Sequence, residues 1–283
     1  MSAQPDLRPS PIAGQWYPAN PERLSSSIDQ YMDDAHLAPV EGEVVAVMAP
    51  HAGHLYSGPV AGYAFAALRG LAPDLVVVVS PMHYLAFEPL LTTAHSAYAT
   101  PLGLIPVDRD AQQGLECILQ ARLGFGLAPI RNDREHSLEI ELPFLQRALT
   151  GPFNLLPVMI RDQRAAVAQA LGEALAKVLE GRSAILVAST DLSHFYPQTL
   201  ANSLDSEMLR QVEAFDPQGV LDTEEQEKGF ACGKGALAAV MWAAKSMGAN
   251  RARVLHHATS GDVTGDFERV VGYGAAVFTR LHA

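Results

Sequence analysis

Three short, β-branched runs each stop at a polar turn that carries histidine, and this arrangement constrains the chain more than any other feature. The run 44–49 leads into Pro50-His51-Ala52-Gly53-His54, the run 75–80 into Pro81-Met82-His83, and the run 185–189 into Thr190-Asp191-Leu192-Ser193-His194. Runs of this length bounded by Pro, Gly or Ser read as buried strands. In an open α/β sheet, ligands bind beyond the carboxyl ends of the strands, where the loops converge on one edge. Imidazoles from the three turns are therefore expected to meet at one crevice.

Helical patterns separate these strands. Asn20-Pro21-Glu22 combines an N-cap, a proline at the first helical position and an early acid, so a helix is expected to about Met32. Ser57 or Gly58-Pro59 is expected to open an Ala-rich helix ending near Arg69-Gly70, and a further helix covers about 109–121. Ser137 should cap a helix over 138–149, and Asp162 one that runs to Glu180. A strand at 155–160, helices near 199–214 and 234–247, and strands near 253–258 and 270–279 complete the reading. Strands alternating with helices indicate an α/β fold: one three-layer domain over 1–283, with a central, mostly parallel or mixed β-sheet flanked by helices.

Composition narrows the partners. A net charge of −11 repels nucleic acid and anionic membranes at long range. The opening Met1-Ser2-Ala3-Gln4-Pro5-Asp6 lacks the basic and apolar stretches of a secretory signal, and no apolar run is long enough to span a bilayer, so a cytoplasmic location is expected. Two cysteines exclude a disulfide framework.

Imidazole is the commonest metal ligand, and histidines at several strand ends favour a metal or catalytic site over isolated caps. Cys232 lies in Ala231-Cys232-Gly233-Lys234-Gly235, at the start of an apolar helix. A helix N-terminus and a neighbouring lysine both favour thiolate, which suits a soft ligand, a nucleophile or a redox centre. Cys117, mid-helix, reads as a buried small hydrophobe. Asp191 and His194 share one turn and form a candidate acid/base pair, the aspartate orienting the imidazole. His136, between Glu135 and the acids Glu139 and Glu141, is a further acid/base or ligand-supporting candidate. His54 and Trp16 are candidate ligand-binding residues, and His256 and His257 lie in a strand with their side chains on opposite faces. A Walker loop, a dinucleotide-binding glycine motif, a nucleophile elbow and a zincin helix motif are all absent, which removes support for nucleotide binding and serine hydrolysis.

Several stretches together resemble the Memo family, known in prokaryotes as AmmeMemoRadiSam system protein B. They are Ala13-Gly14-Gln15-Trp16-Tyr17-Pro18, Ala49-Pro50-His51-Ala52-Gly53, Ser80-Pro81-Met82-His83, Glu135-His136-Ser137-Leu138-Glu139-Ile140-Glu141-Leu142-Pro143, Ser189-Thr190-Asp191-Leu192-Ser193-His194, Ala231-Cys232-Gly233 and Gly272-Tyr273-Gly274-Ala275-Ala276. The resemblance implies a fold like that of class III extradiol dioxygenases, which hold non-haem Fe(II) with two histidines and a carboxylate. It places His51, His83 and Cys232 at the metal positions, with thiolate in place of glutamate, and His194 at the acid/base position. It implies Fe(II), with copper or zinc as competitors for a site softened by sulfur. The implied function is redox or dioxygenase-like chemistry on a small, phenolic type of substrate. The alternatives are a phosphotyrosine-peptide binding module, in which Trp16 matches a pocket aromatic, and a zinc hydrolase. A radical SAM protein and an AMMECR1-like protein are the partners that the resemblance implies.

Overall fold

Four of the expected strands lie side by side and parallel, in the order Glu43–Ala49, Ala184–Ser189, Leu75–Pro81 and Asn154–Ile160. They form the middle of a nine-stranded mixed sheet. Val270–Arg280 pairs antiparallel with Glu43–Ala49 and carries Arg251–Thr259 on its other side. At the opposite end, Leu90–Thr93 pairs antiparallel with Asn154–Ile160 and parallel with Ala128–Ile130. A separate three-stranded sheet joins Leu7–Arg8, Ala97–Thr100 and Gly103–Pro106. The computed structural model describes residues 6–282, so the opening stretch Met1–Pro5, read above for targeting signals, lies outside the described residues. No helix among the described residues is long and apolar enough to cross a membrane.

The central strands are apolar throughout because both faces are covered, as parallel sheets require. Successive side chains enter opposite cores: Leu75, Val77 and Val79 face one, Val76 and Val78 the other. The first core is closed by helices Arg109–Leu123, Ala165–Val178, Gln198–Glu213 and Lys234–Ser246. The second is closed by Pro21–Asp34, His54–Ala66 and Leu142–Ala148. The result is the three-layer α/β arrangement read from the sequence.

Several boundaries differ for physical reasons. The Ala-rich helix starts at His54 rather than at Ser57, so His54 belongs to a helix, and Pro59 lies inside it at the loss of the bond that its missing N–H would have made to Leu55. Ser137 does not cap a helix. Its hydroxyl donates to the Pro81 carbonyl at 2.8 Å, and a 3₁₀ turn at Glu139–Glu141 precedes the helix Leu142–Ala148. Asp162 likewise gives its carboxylate to Arg164, and the next helix runs Ala165–Val178. The strands between 90 and 106 and the helix Pro217–Glu225 had no counterpart in the sequence reading.

Candidate metal centre

The strand order brings the histidine turns together. His51 and His83 leave strands that flank Ala184–Ser189, the strand that leads into Asp191 and His194. His51, His83 and His136 each offer a ligand nitrogen, and these atoms all lie within 4.8 Å of one another. Their ring centroids form a triangle, with 5.1 Å between His51 and His83, 5.5 Å between His51 and His136, and 4.7 Å between His83 and His136. Sequence reading took His136 as an acid/base or supporting group, and the structure sets it as the third corner of the imidazole cluster.

Proton positions follow from the hydrogen bonds. The Ser189 hydroxyl donates to the Ser137 carbonyl at 2.6 Å, which uses its one hydrogen. It therefore accepts from His51 Nδ1 at 2.9 Å, and the His51 Nε2 carries the lone pair. His83 Nδ1 lies 2.9 Å from Glu135 Oε1, an acceptor only, so its Nε2 is also the unprotonated nitrogen. Burial holds the His51 imidazole well below its ordinary pKa, helped by His83, His136 and His194 nearby. Burial also lowers His136 to about 4, against the opposing pull of Glu135. Neutral imidazoles with outward lone pairs are the form that binds a metal.

Glu135 organises this edge. Burial raises its pKa, but the hydrogen bond from His83, followed by the Ser137 N–H, prevails and brings it to about 2. Its carboxylate accepts from the His83 backbone N–H at 2.6 Å, and from those of His136 and Ser137 at 3.0 Å each. It also faces His136 Nδ1 at 3.3 Å. Carboxylates in this position fix the tautomer and raise the basicity of metal-binding histidines.

Cys232 Sγ lies 3.1 Å from His51 Nε2, but Cys232 is not one of the three side chains whose ligand atoms all lie within 4.8 Å of one another. Gly233 allows the approach, since a Cβ there would sit 2.5 Å from the Ser189 carbonyl oxygen. The thiolate expected from Lys234 does not arise, because Lys234 Nζ pairs with Glu224 at 2.7 Å. Burial, then the Asp191 charge, pushes the Cys232 thiol up. Without a metal the sulfur is a thiol facing the His51 lone pair. A tetrahedral ion with bonds of about 2.0 and 2.3 Å sets nitrogen and sulfur about 3.5 Å apart, so a small widening fits this pair to an ion.

Asp191 and His194 are near the cluster but are not a dyad. Asp191 Oδ1 accepts from the His51 backbone N–H at 2.7 Å, and its Oδ2 lies 4.0 Å from His51 Nε2. Burial lifts its carboxyl to about 7, although the His51 and Ala52 N–H groups oppose this. His194 is oriented by a backbone carbonyl, its Nδ1 donating to Leu192 at 2.7 Å, which leaves Nε2 as an acceptor. Burial lowers its pKa. Among the described residues no hydrogen bond joins Asp191 to His194. The orienting role assigned to Asp191 is therefore corrected: the aspartate serves the His51 turn.

Trp16 lies on the cluster, its ring 4.1 Å from that of His136. With Tyr56, Phe195, Val271 and Tyr273 it lines a groove of about 480 Å³ that begins beside Ala52 and Gly53. His54 points elsewhere: it is 3% exposed, with Nε2 3.2 Å from the Ile140 carbonyl and its ring against Phe144 and Tyr17. Cys117, expected to be buried, is exposed. His256 stacks on Tyr63, while His257 bonds Asp205 at 2.8 Å.

Relatives match this chain in sequence nearly end to end. A MEMO1 family protein of Nitrosopumilus maritimus is 33% identical over 276 residues, covering 96% of this chain and 99% of that one. One from Methanopyrus kandleri is 34% identical over 283 residues, covering 95% and 98%. One from Thermotoga maritima is 34% identical over 277 residues, covering 94% and 97%. The model of a family described as Memo-like protein matches residues 8–277. By both measures, this chain belongs to the Memo-like protein family.

Proposed function

We propose that this chain is a mononuclear metalloprotein in which His51, His83 and Cys232 hold a redox-active ion, Fe(II) with copper as the soft competitor, and that it acts on a small aromatic substrate. The observation that carries the reading is the pair of imidazoles whose Nδ1 atoms are both engaged, with the freed His51 Nε2 facing a thiol at 3.1 Å. When bound, such an ion supplies electron transfer and a Lewis-acid position. Nitrogen and sulfur donors suit iron, copper and zinc, and exclude magnesium and calcium as preferred occupants.

The protein's own groups divide the remaining work. His194 Nε2, free as an acceptor, takes the proton of a substrate hydroxyl. Trp16, which packs on His136 and lines the groove, offers a flat face on which a substrate ring stacks. Metal-free protein titrated anaerobically with Fe(II), Cu(I) and Zn(II) tests the proposal. One equivalent should bind in the wild type, and at least ten-fold more weakly in His51→Ala and His83→Ala. Unchanged affinity in both variants would overturn the metal site. Tight zinc uptake with no redox-active occupant would overturn the redox assignment and favour hydrolysis.

A further inference from the structure

We infer that Arg8, on the short strand Leu7–Arg8, is a positioning residue that locks the Glu135 loop against the imidazole cluster. The inference rests on the metal-centre reading for its consequence, but the lock is visible without a metal. Arg8 is 1% exposed, and all five of its N–H donors are used. Nε and Nη2 form a fork on Asp133 at 3.0 and 2.7 Å. Nη2 also donates to the Glu135 carbonyl at 2.7 Å, and Nη1 to Glu139 Oε2 at 2.5 Å and the Pro9 carbonyl at 3.2 Å. The guanidinium lies 4.9 Å from the Tyr98 ring centroid. Glu139 is held from the same N-terminal segment by Ser10 Oγ at 2.6 Å and Tyr17 Oη at 2.8 Å.

One side chain thus fixes the loop at Asp133, Glu135 and Glu139. Between those points lies the carboxylate that orients His83 and meets His136. The lock's main return is position. A buried ion network contributes little net stability compared with apolar residues of similar volume, because desolvation offsets the attraction. Positioning groups behind metal-binding histidines, by contrast, typically change affinity by about 10–100-fold. Arg8 reaches its partners across 125 to 131 positions of sequence, so the loop depends on the docking of a distant strand.

The test replaces the network as a unit, Arg8→Met with Asp133→Asn and Glu139→Gln, so that no buried charge loses its partner. Arg8→Lys, which keeps the charge but not the fork, is the second variant and the control if the triple variant does not fold. In metal-free protein, amide exchange at residues 133–137 should rise at least ten-fold while the thermal transition stays cooperative. Co(II) affinity, measured by chelator competition, should fall 10–100-fold in both variants. Unchanged exchange in either folded variant overturns the lock whether or not metal binds. Faster exchange with unchanged Co(II) affinity overturns the positioning role. A wild type that takes up no Co(II), Fe(II) or Zn(II) instead overturns the metal-centre reading, and with it the role assigned to the lock.

Discussion

His54 should make the protein acid-sensitive in a window that can be calculated. Its imidazole is 3% exposed, Nδ1 has no partner, and burial lowers its pKa from 6.5 to about 4. The unfolded chain binds this proton below about pH 6.5, while the folded protein resists it until about pH 4. The stability linked to His54 is thus fully present above pH 6.5 and is lost as pH falls toward 4. At about 1.4 kcal/mol per pH unit, the loss is about 2 kcal/mol at pH 5 and about 3 kcal/mol at pH 4. Other buried groups titrate in the same range, so the measurement is a difference between wild type and His54→Phe. The ring can pack on Phe144 and Tyr17 as the imidazole does, and the unpaired Ile140 carbonyl costs about 1–3 kcal/mol at neutral pH. Urea unfolding at intervals from pH 8 to pH 4 should show the two stabilities converging or crossing by about 3 kcal/mol. A difference that stays flat across the range would refute the assignment of a buried neutral histidine.

Cys232→Ser should weaken and harden metal binding, read as a ten-fold or greater loss for Cu(I) by competition titration, while Cys117→Ser, at an exposed position, changes neither affinity nor selectivity. His194→Ala should keep metal occupancy by elemental analysis and keep the nitric oxide adduct of the Fe(II) form; loss of metal together with thermal stability would make it a structural turn residue. Gly272→Ala should cost about 3 kcal/mol in urea unfolding, because the new Cβ would lie 1.9 Å from Asp205 Oδ2, a fully buried carboxylate that bonds the Ser193 N–H and His257. An unchanged midpoint would mean that the Asp205 side chain can move aside.

What the sequence disclosed was local. Each strand end was legible because a β-branched run and the turn that stops it are neighbours in the chain, and the parallel sheet then determined which ends adjoin. The exposure of Cys117 was legible in principle: the buried positions of its helix include Leu115 and Leu119, and a residue midway between them turns outward. The partners were not legible. That Lys234 pairs with Glu224 rather than the thiol, that Asp191 serves His51, and that Arg8 holds Glu135 all depend on contacts between segments with no shared local pattern. Ser137 misled for the same reason, its hydroxyl engaging the distant Pro81 carbonyl, whereas Asp162 was misread locally, its carboxylate being taken up by Arg164 two residues on.

The strand order has a consequence for how such a site can change. His51 and His83 do not come from adjacent strands; they lean toward each other over the strand that ends at Ser189, whose hydroxyl holds one of them. Their span is therefore measured out in units of inter-strand spacing, about 4.8 Å per step, and backbone ladders on both sides resist any change in it. Mutation can exchange the side chain at Cys232, or loosen the loop behind Glu135, within the same frame. It cannot easily move the two imidazoles apart. If an ion is held here, its identity can drift with the third donor, whereas the distance between His51 and His83 comes with the sheet.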